Sequence, residues 1–244
     1  ALYLSVKNTR PFLTKANFEK PFAGVTQTVV QRAISSGLYF PLEEIFATLM
    51  NASEEKDEKI RLWKLFFAGT VAGAINGIVM NPFTRIKYHF WGKSQNDGLQ
   101  FFNTAKEIFQ QGGIRHFFLG ANATVHRDLL FGGIFALLRH TLKSDRESKK
   151  TGFTINVIAG CSATVLSSPL NYIRNVHYAT PPSQSPDSAR KILQDLFIEA
   201  WKEETPTQKF VYVQSRLRLG WGTARVGCGM AFGAKVYEYL ASVF

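Results

Sequence analysis

Three arginines interrupt otherwise apolar stretches of the chain, Arg32, Arg127 and Arg225. They stand 95 and 98 positions apart (127 − 32 and 225 − 127), a nearly regular recurrence. A charge deep in apolar sequence is costly and marks a functional site by default. The chemistry it offers is electrostatic, and the whole chain agrees, with a net charge of +11 and a pI near 9.7. Such a surplus calls for an anionic partner: nucleic acid, anionic lipid or a small anionic solute. The alternative is that the three arginines only line a wet cavity. Asp128, directly after Arg127, is the one acid beside them.

Other chemistries find less support. The histidines, His89, His116, His126, His140 and His177, show no metal-ligand or triad spacing, so neither an enzyme nor a metal site is expected, and no cofactor. Cys161 and Cys228 lie in small, apolar segments and read as buried thiols. Arg216, Arg218 and Arg225 could meet phosphates, but glycines and apolar residues separate them without an interleaved aromatic stacking pattern. Nucleic acid is therefore set aside.

The elements that must hold these arginines are long and apolar. The clearest runs from Trp63 to Trp91, 28 positions that reach roughly 42 Å as a helix, enough for a bilayer with its headgroup zones. Within it Gly69, Gly73 and Gly77 fall four apart and form one smooth helical stripe, the kind that lets backbones approach closely in lipid. The stripe runs into Pro82, which is expected to kink or break the helix, with Arg85 and Lys87 just beyond. Further spans are predicted at 25–49, 121–142, 152–177 and 220–240. Residues 100–111 and 187–203 read as amphipathic surface helices. Charged loops are expected at 50–61 and 143–150, and a turn at 181–186. A mean hydropathy of −0.06 suits a bundle whose inner face is polar.

The pattern repeats. A shift of 87 positions lays Pro82 on Pro169, Ala72-Gly73 on Ala159-Gly160 and Lys87 on Arg174. The unit is a proline-bearing span, a surface helix, a second span and a charged loop, which points to threefold pseudo-symmetry. The expected organisation is one membrane domain over 1–244, with a truncated first repeat at 1–49 and repeats at 62–145 and 151–244.

These residues resemble the mitochondrial carrier family. Its mark is Pro-x-Asp/Glu-x-x-Lys/Arg at the end of each odd helix, followed by a matrix-side amphipathic helix and an aromatic-x-Gly step into the even helix. Pro82 with Lys87 and Pro169 with Arg174 match the ends of the mark, and Phe22-Ala-Gly24 and Phe118-Leu-Gly120 match the step. The resemblance implies an all-α helical bundle, multi-pass in the mitochondrial inner membrane, with five spans visible. The first odd helix would fall ahead of residue 1, so either a span precedes this sequence or the bundle has five. Cardiolipin is implied at the helix starts by Gly24 and Gly120, where free amides favour anions.

The sequence also departs from the family. The acids of the matrix-side lock are replaced by Thr84 and Asn171, leaving Lys87 and Arg174 as cations without carboxylates. At the opposite lock, Tyr237-Glu238 keeps an aromatic-acid pair, but Ala241 replaces its base. Arg139-His140 offers no acid there, and Glu43 and Glu44 are shifted from the expected register. Arg127-Asp128 stands where the family contacts substrate and resembles its amino-acid transporters. The leading expectation is therefore a carrier-fold protein that no longer transports, kept as an accessory subunit of a respiratory or ATP synthase assembly and covered by lipid and other subunits. The alternative is a working solute carrier with atypical locks, for an amino acid or a small anion.

Overall fold

In the computed structural model the described residues are 25–90, 98–142, 149–180 and 187–243. They form helices α1 (Val25–Leu49), α2 (Glu58–Phe90) and α3 (Gly98–Gly112), a 3-10 turn (Gly113–Phe118), then α4 (Ala121–Leu142), α5 (Lys149–Ala179), α6 (Ala189–Trp201), α7 (Pro206–Leu217) and α8 (Trp221–Val243). The five long helices stand in a ring in the order α1, α2, α4, α5, α8, and α8 packs back on α1. The short helices α3, α6 and α7 lie at the end of the ring where the prolines are, with α3 on α2 and α6 and α7 on α5.

Side-chain placement is the reverse of a water-soluble bundle. The closest contacts between helices are made by small residues, Ala68, Ala72, Ala159, Ala163 and Ala234 being fully enclosed, beside an aromatic core of Tyr39, Phe40, Phe131 and Phe135. Large apolar side chains are exposed instead, among them Trp63, Phe67, Val79, Leu166 and Val236. A monomer in water rarely exposes that much apolar surface; lipid-facing helices do so as a rule. Among the described residues two helices are long and apolar enough by composition to cross a bilayer, Glu58–His89 and Gly152–Ala179. Only 33% and 39% of their most apolar stretches are buried in the protein, so most of that surface looks outward. The helices α1, α4 and α8 are long enough at 25, 22 and 23 residues. Their polar inner residues lower their average, so apolar composition alone marks two spans where five were expected.

The glycine stripe works as its spacing predicts. A Cβ at Gly73 would strike the Asp128 carbonyl, and one at Gly132 would strike the Gly69 carbonyl, so α2 and α4 meet backbone to backbone. Gly160 and Gly227 repeat the arrangement between α5 and α8, with a Cβ at Gly160 only 2.9 Å from Gly227 Cα. The prolines, expected to kink or break their helices, do not interrupt them: α2 runs through Pro82 and α5 through Pro169. At Pro169 the carbonyl left without its helical donor belongs to Val165, and the Ser168 hydroxyl donates to it at 2.7 Å. A local hydroxyl thus satisfies the backbone group that proline frees. Helix α7 was not anticipated. It is opened by a capping box in which Thr205 and Gln208 satisfy each other's backbone amides, with Pro206 in the first turn.

Candidate functional site

At the proline end of the ring, the cations expected to stand without partners have neutral ones. Lys87 donates to Gln31 Oε1 at 2.9 Å, and Gln31 Nε2 donates to Thr84 Oγ1 at 3.0 Å. Gln31 on α1 therefore bridges to α2 where the resemblance puts an acid. Arg174 donates to Asn171 Oδ1 at 2.6 Å and lies over the Tyr178 ring. An amide oxygen accepts a hydrogen bond but returns no charge.

The opposite end corrects a second expectation, that it lacks a cross-bundle partner. Glu43 on α1 is buried and accepts from Arg139 at 3.3 Å and from His140 at 3.2 Å, both on α4. Arg139 also reaches Glu238 of α8 at 3.9 Å, and Lys235 pairs with the same carboxylate at 2.8 Å. Tyr237 donates to Glu44, and its ring stacks on Phe40, which also lies under the Arg139 guanidinium at 5.2 Å. Three helices are tied by opposite charges. The acids and bases were sought on the same helix, at one helix's spacing; they sit on different helices across the ring instead, so the set looked depleted.

Between the two ends lie the arginines that open the sequence argument. The stem of Arg32 packs against Gly229 of α8. Arg32 is within electrostatic reach of Arg127, Asp128 and Arg174, and Lys87 within that of Arg32, Arg174 and Arg225. Arg127 pairs with Asp128 and lies over Phe131 at 4.9 Å. Asp128 itself is 8% exposed and set into the α2–α4 seam against Gly77. Arg225 is the most exposed of the set. Among the described residues Asp128 is the carboxylate within this group of cations, and it is already engaged by Arg127.

The remaining candidates divide. Gly24 lies outside the described residues. Gly120 has φ +80° and its face against Tyr178, so the entry to α4 requires glycine on conformational grounds alone. Cys161 is half-buried, with Sγ 3.7 Å from the Thr223 carbonyl, whereas Cys228 is exposed on α8, contrary to the reading of a buried thiol. The sequence reading missed a buried polar knot. Asn81 Oδ1 accepts from Tyr178 at 2.6 Å and from Thr124 at 2.8 Å, while Asn81 Nδ2 donates to the Phe117 carbonyl. The knot joins α2, α4 and α5 just beneath the cationic cluster. Its only sequence signal was a polar residue directly before Pro82.

Comparison with known proteins places these features in a family context. A family model described as mitochondrial carrier protein matches residues 58–149, which cover α2, α3 and α4. Mitochondrial magnesium exporter 1 of Drosophila melanogaster is 25% identical over 189 residues, 72% of this chain and 60% of its own length. Mitochondrial glycine transporter A of Danio rerio is 26% identical over 179 residues, 69% of this chain and 54% of its own. The mitochondrial carnitine/acylcarnitine carrier of Rattus norvegicus is 25% identical over 157 residues, 59% and 52%. The chain spans between 52% and 60% of the length of these three relatives.

Proposed function

The chain belongs to the mitochondrial carrier family, a helical-bundle membrane fold, and from that premise we propose that it is a solute carrier of the mitochondrial inner membrane for a small anion or an amino acid. The carrying observation is the ion network of Glu43, Arg139, His140 and Glu238, which draws α1, α4 and α8 together at one end of a cation-lined interior. A network of exchangeable charge pairs is a device for opening and closing. A purely structural shell would be held as well by apolar packing, since a buried ion pair adds little net stability over hydrophobic residues of the same volume.

The expectation of a transport-incompetent accessory subunit loses its ground on two counts. It rested on locks stripped of partners, and both ends carry cross-helix partners. The relatives named above are an exporter, a transporter and a carrier. Arg127 with Asp128 supports the amino-acid option, because such a pair offers one charge to each end of a zwitterion. The excess of cations supports the anion option. Liposomes containing the purified full chain, loaded with unlabelled amino acids or carboxylates, test the reading. Saturable uptake of the matching labelled solute is expected, and absence of exchange across a panel of both classes overturns it.

A further inference from the structure

Tyr178 is fully buried on α5, and its hydroxyl is fixed from two other helices. It donates to Asn81 Oδ1 of α2 at 2.6 Å and lies 2.8 Å from Thr124 Oγ1 of α4. A tyrosine that only fills space needs one partner for its hydroxyl. The ring is fixed as well. Tyr88 of α2 meets it edge-on at 5.6 Å, and Gly120 packs so closely that a Cβ there would come within 2.9 Å of it. Two guanidiniums share this ring: Arg174, one turn earlier on α5, lies 5.8 Å from its centre, and Arg85 of α2 lies 5.9 Å from it. Arg85 is also held by the Leu119 carbonyl at 3.2 Å, a backbone group that cannot turn away. Arg174 is held differently. Its Nη2 donates at 2.6 Å to Asn171 Oδ1, a side chain of its own helix, and its Nε is buried with no hydrogen-bond partner. The Tyr178 ring is therefore the contact through which other helices can fix this guanidinium.

We propose that Tyr178 is a positioning residue: its ring sets where the Arg174 guanidinium stands in the interior, and its hydroxyl ties that place to α2 and α4. A cation over an aromatic face is attracted by the ring's quadrupole, so Arg174 follows the ring. The ring in turn follows Asn81 and Thr124, because the hydroxyl keeps both bonds only while α2, α4 and α5 hold their present spacing. Parting α5 from α2 and α4 frees the ring, and Arg174 with it. Only the effect on a solute rests on the carrier reading; the placement of Arg174 does not.

The test is arginine labelling of the full chain in detergent with phenylglyoxal, the adducts being mapped by mass spectrometry after short exposures. Arg127 is the internal reference, since the ring beneath it is Phe131. Relative to Arg127, labelling of Arg174 should rise roughly tenfold in Tyr178→Leu, which removes the ring, and about two- to threefold in Tyr178→Phe, which keeps the ring and cuts its tether. Thr124→Val, which loosens the tether from α4 alone, should give a smaller rise, and combining it with Tyr178→Phe should add nothing. These two milder variants keep the test decisive if Tyr178→Leu fails to fold. Acceleration shared equally by Arg127 marks a generally loosened fold and overturns the proposal, as does unchanged labelling of Arg174 in every variant that folds. Exchange in liposomes gives a second readout: for a solute that the wild-type protein carries, Tyr178→Phe should raise apparent KM more than it lowers the rate. A lowered rate with KM unmoved overturns it. Wild-type protein that exchanges nothing removes the carrier reading, while the labelling ratio still decides the placement of Arg174.

Discussion

Replacing Glu43 by glutamine probes the network that closes one end of the ring while keeping the side chain's volume. Glu43 is 4% exposed and accepts from both Arg139 and His140. Removing one partner of a buried ion pair costs about 3–5 kcal/mol, because the other charge is left uncompensated. Two features of this site lower that figure. Arg139 keeps Glu238 at 3.9 Å, although Lys235 competes for it at 2.8 Å. It also keeps the face of Phe40, and the glutamine oxygen can still accept one hydrogen bond. The expected loss is therefore about 2–3 kcal/mol. For a chain of this size each kcal/mol moves the midpoint by about 2–4 °C, so the drop should be roughly 4–12 °C.

The assay is thermal unfolding in detergent followed by intrinsic fluorescence, applied to Glu43→Gln, Arg139→Gln and the double variant. Since the two side chains touch, their effects should not add, and the double variant should fall short of the sum by at least about 1 kcal/mol. A loss of about 2 kcal/mol also shifts any open–closed equilibrium at this end by roughly thirtyfold, since 1.4 kcal/mol is tenfold. Exchange by Glu43→Gln should then change in rate more than in apparent affinity. Additive single variants, or a midpoint unchanged by Glu43→Gln, would refute the reasoning.

Gly73→Val should block assembly of the bundle, because its Cβ meets the Asp128 backbone rather than a side chain that can turn away; overpacking of about 1–3 kcal/mol or more should appear as aggregation on size-exclusion chromatography. Tyr178→Phe removes the donor to Asn81 at 2.6 Å and should cost about 1–2 kcal/mol, read as a lower unfolding midpoint with Thr124 still in place. Cys228 should react with a membrane-permeant maleimide in the folded protein much faster than Cys161, as peptide mapping after a short pulse would show; equal labelling would contradict their difference in exposure. Thr205→Ala should fray α7 by about 1 kcal/mol, seen as faster amide exchange over 206–217 with the five long helices unaffected.

What could be read from the sequence was whatever repeats along one helix. Gly69, Gly73 and Gly77 recur every four residues, so their shared face, and its need for a close neighbour, followed from helical geometry. The amphipathic stretch at 100–111 emerges as Gly98–Gly112, and that at 187–203 as Ala189–Trp201, since their apolar spacing needs no knowledge of the partner. What could not be read was choice of partner between helices. Glu43 and Arg139 are 96 positions apart, and no spacing rule along one helix selects them. Gln31 escaped for a different reason: a neutral amide replacing an acid has no charge to attract notice. Asn81 and Tyr178, 97 positions apart, are polar residues in apolar spans whose hydrogen bonds exist only once the ring closes. Thr205 and Gln208 did carry a local signal, and helix α7 was there to be found in it.

The two ends of the ring are held by different physics, and this asymmetry constrains any transport cycle. One end is joined by opposite charges within the protein, Glu43 and Glu238 against Arg139, and closes without help. At the other, Gln31 reaches across to Lys87 and Thr84, while Asn171 holds Arg174 within α5. An empty protein should therefore rest with the charged network made. A ligand can shift such an equilibrium only by its difference in affinity for the two states. Moving it from 1:99 to 99:1 takes about 5.5 kcal/mol, close to a 10⁴-fold preference. A single hydrogen bond cannot supply that, whereas several charge-assisted ones made at once, each about 1.5–3 kcal/mol, can.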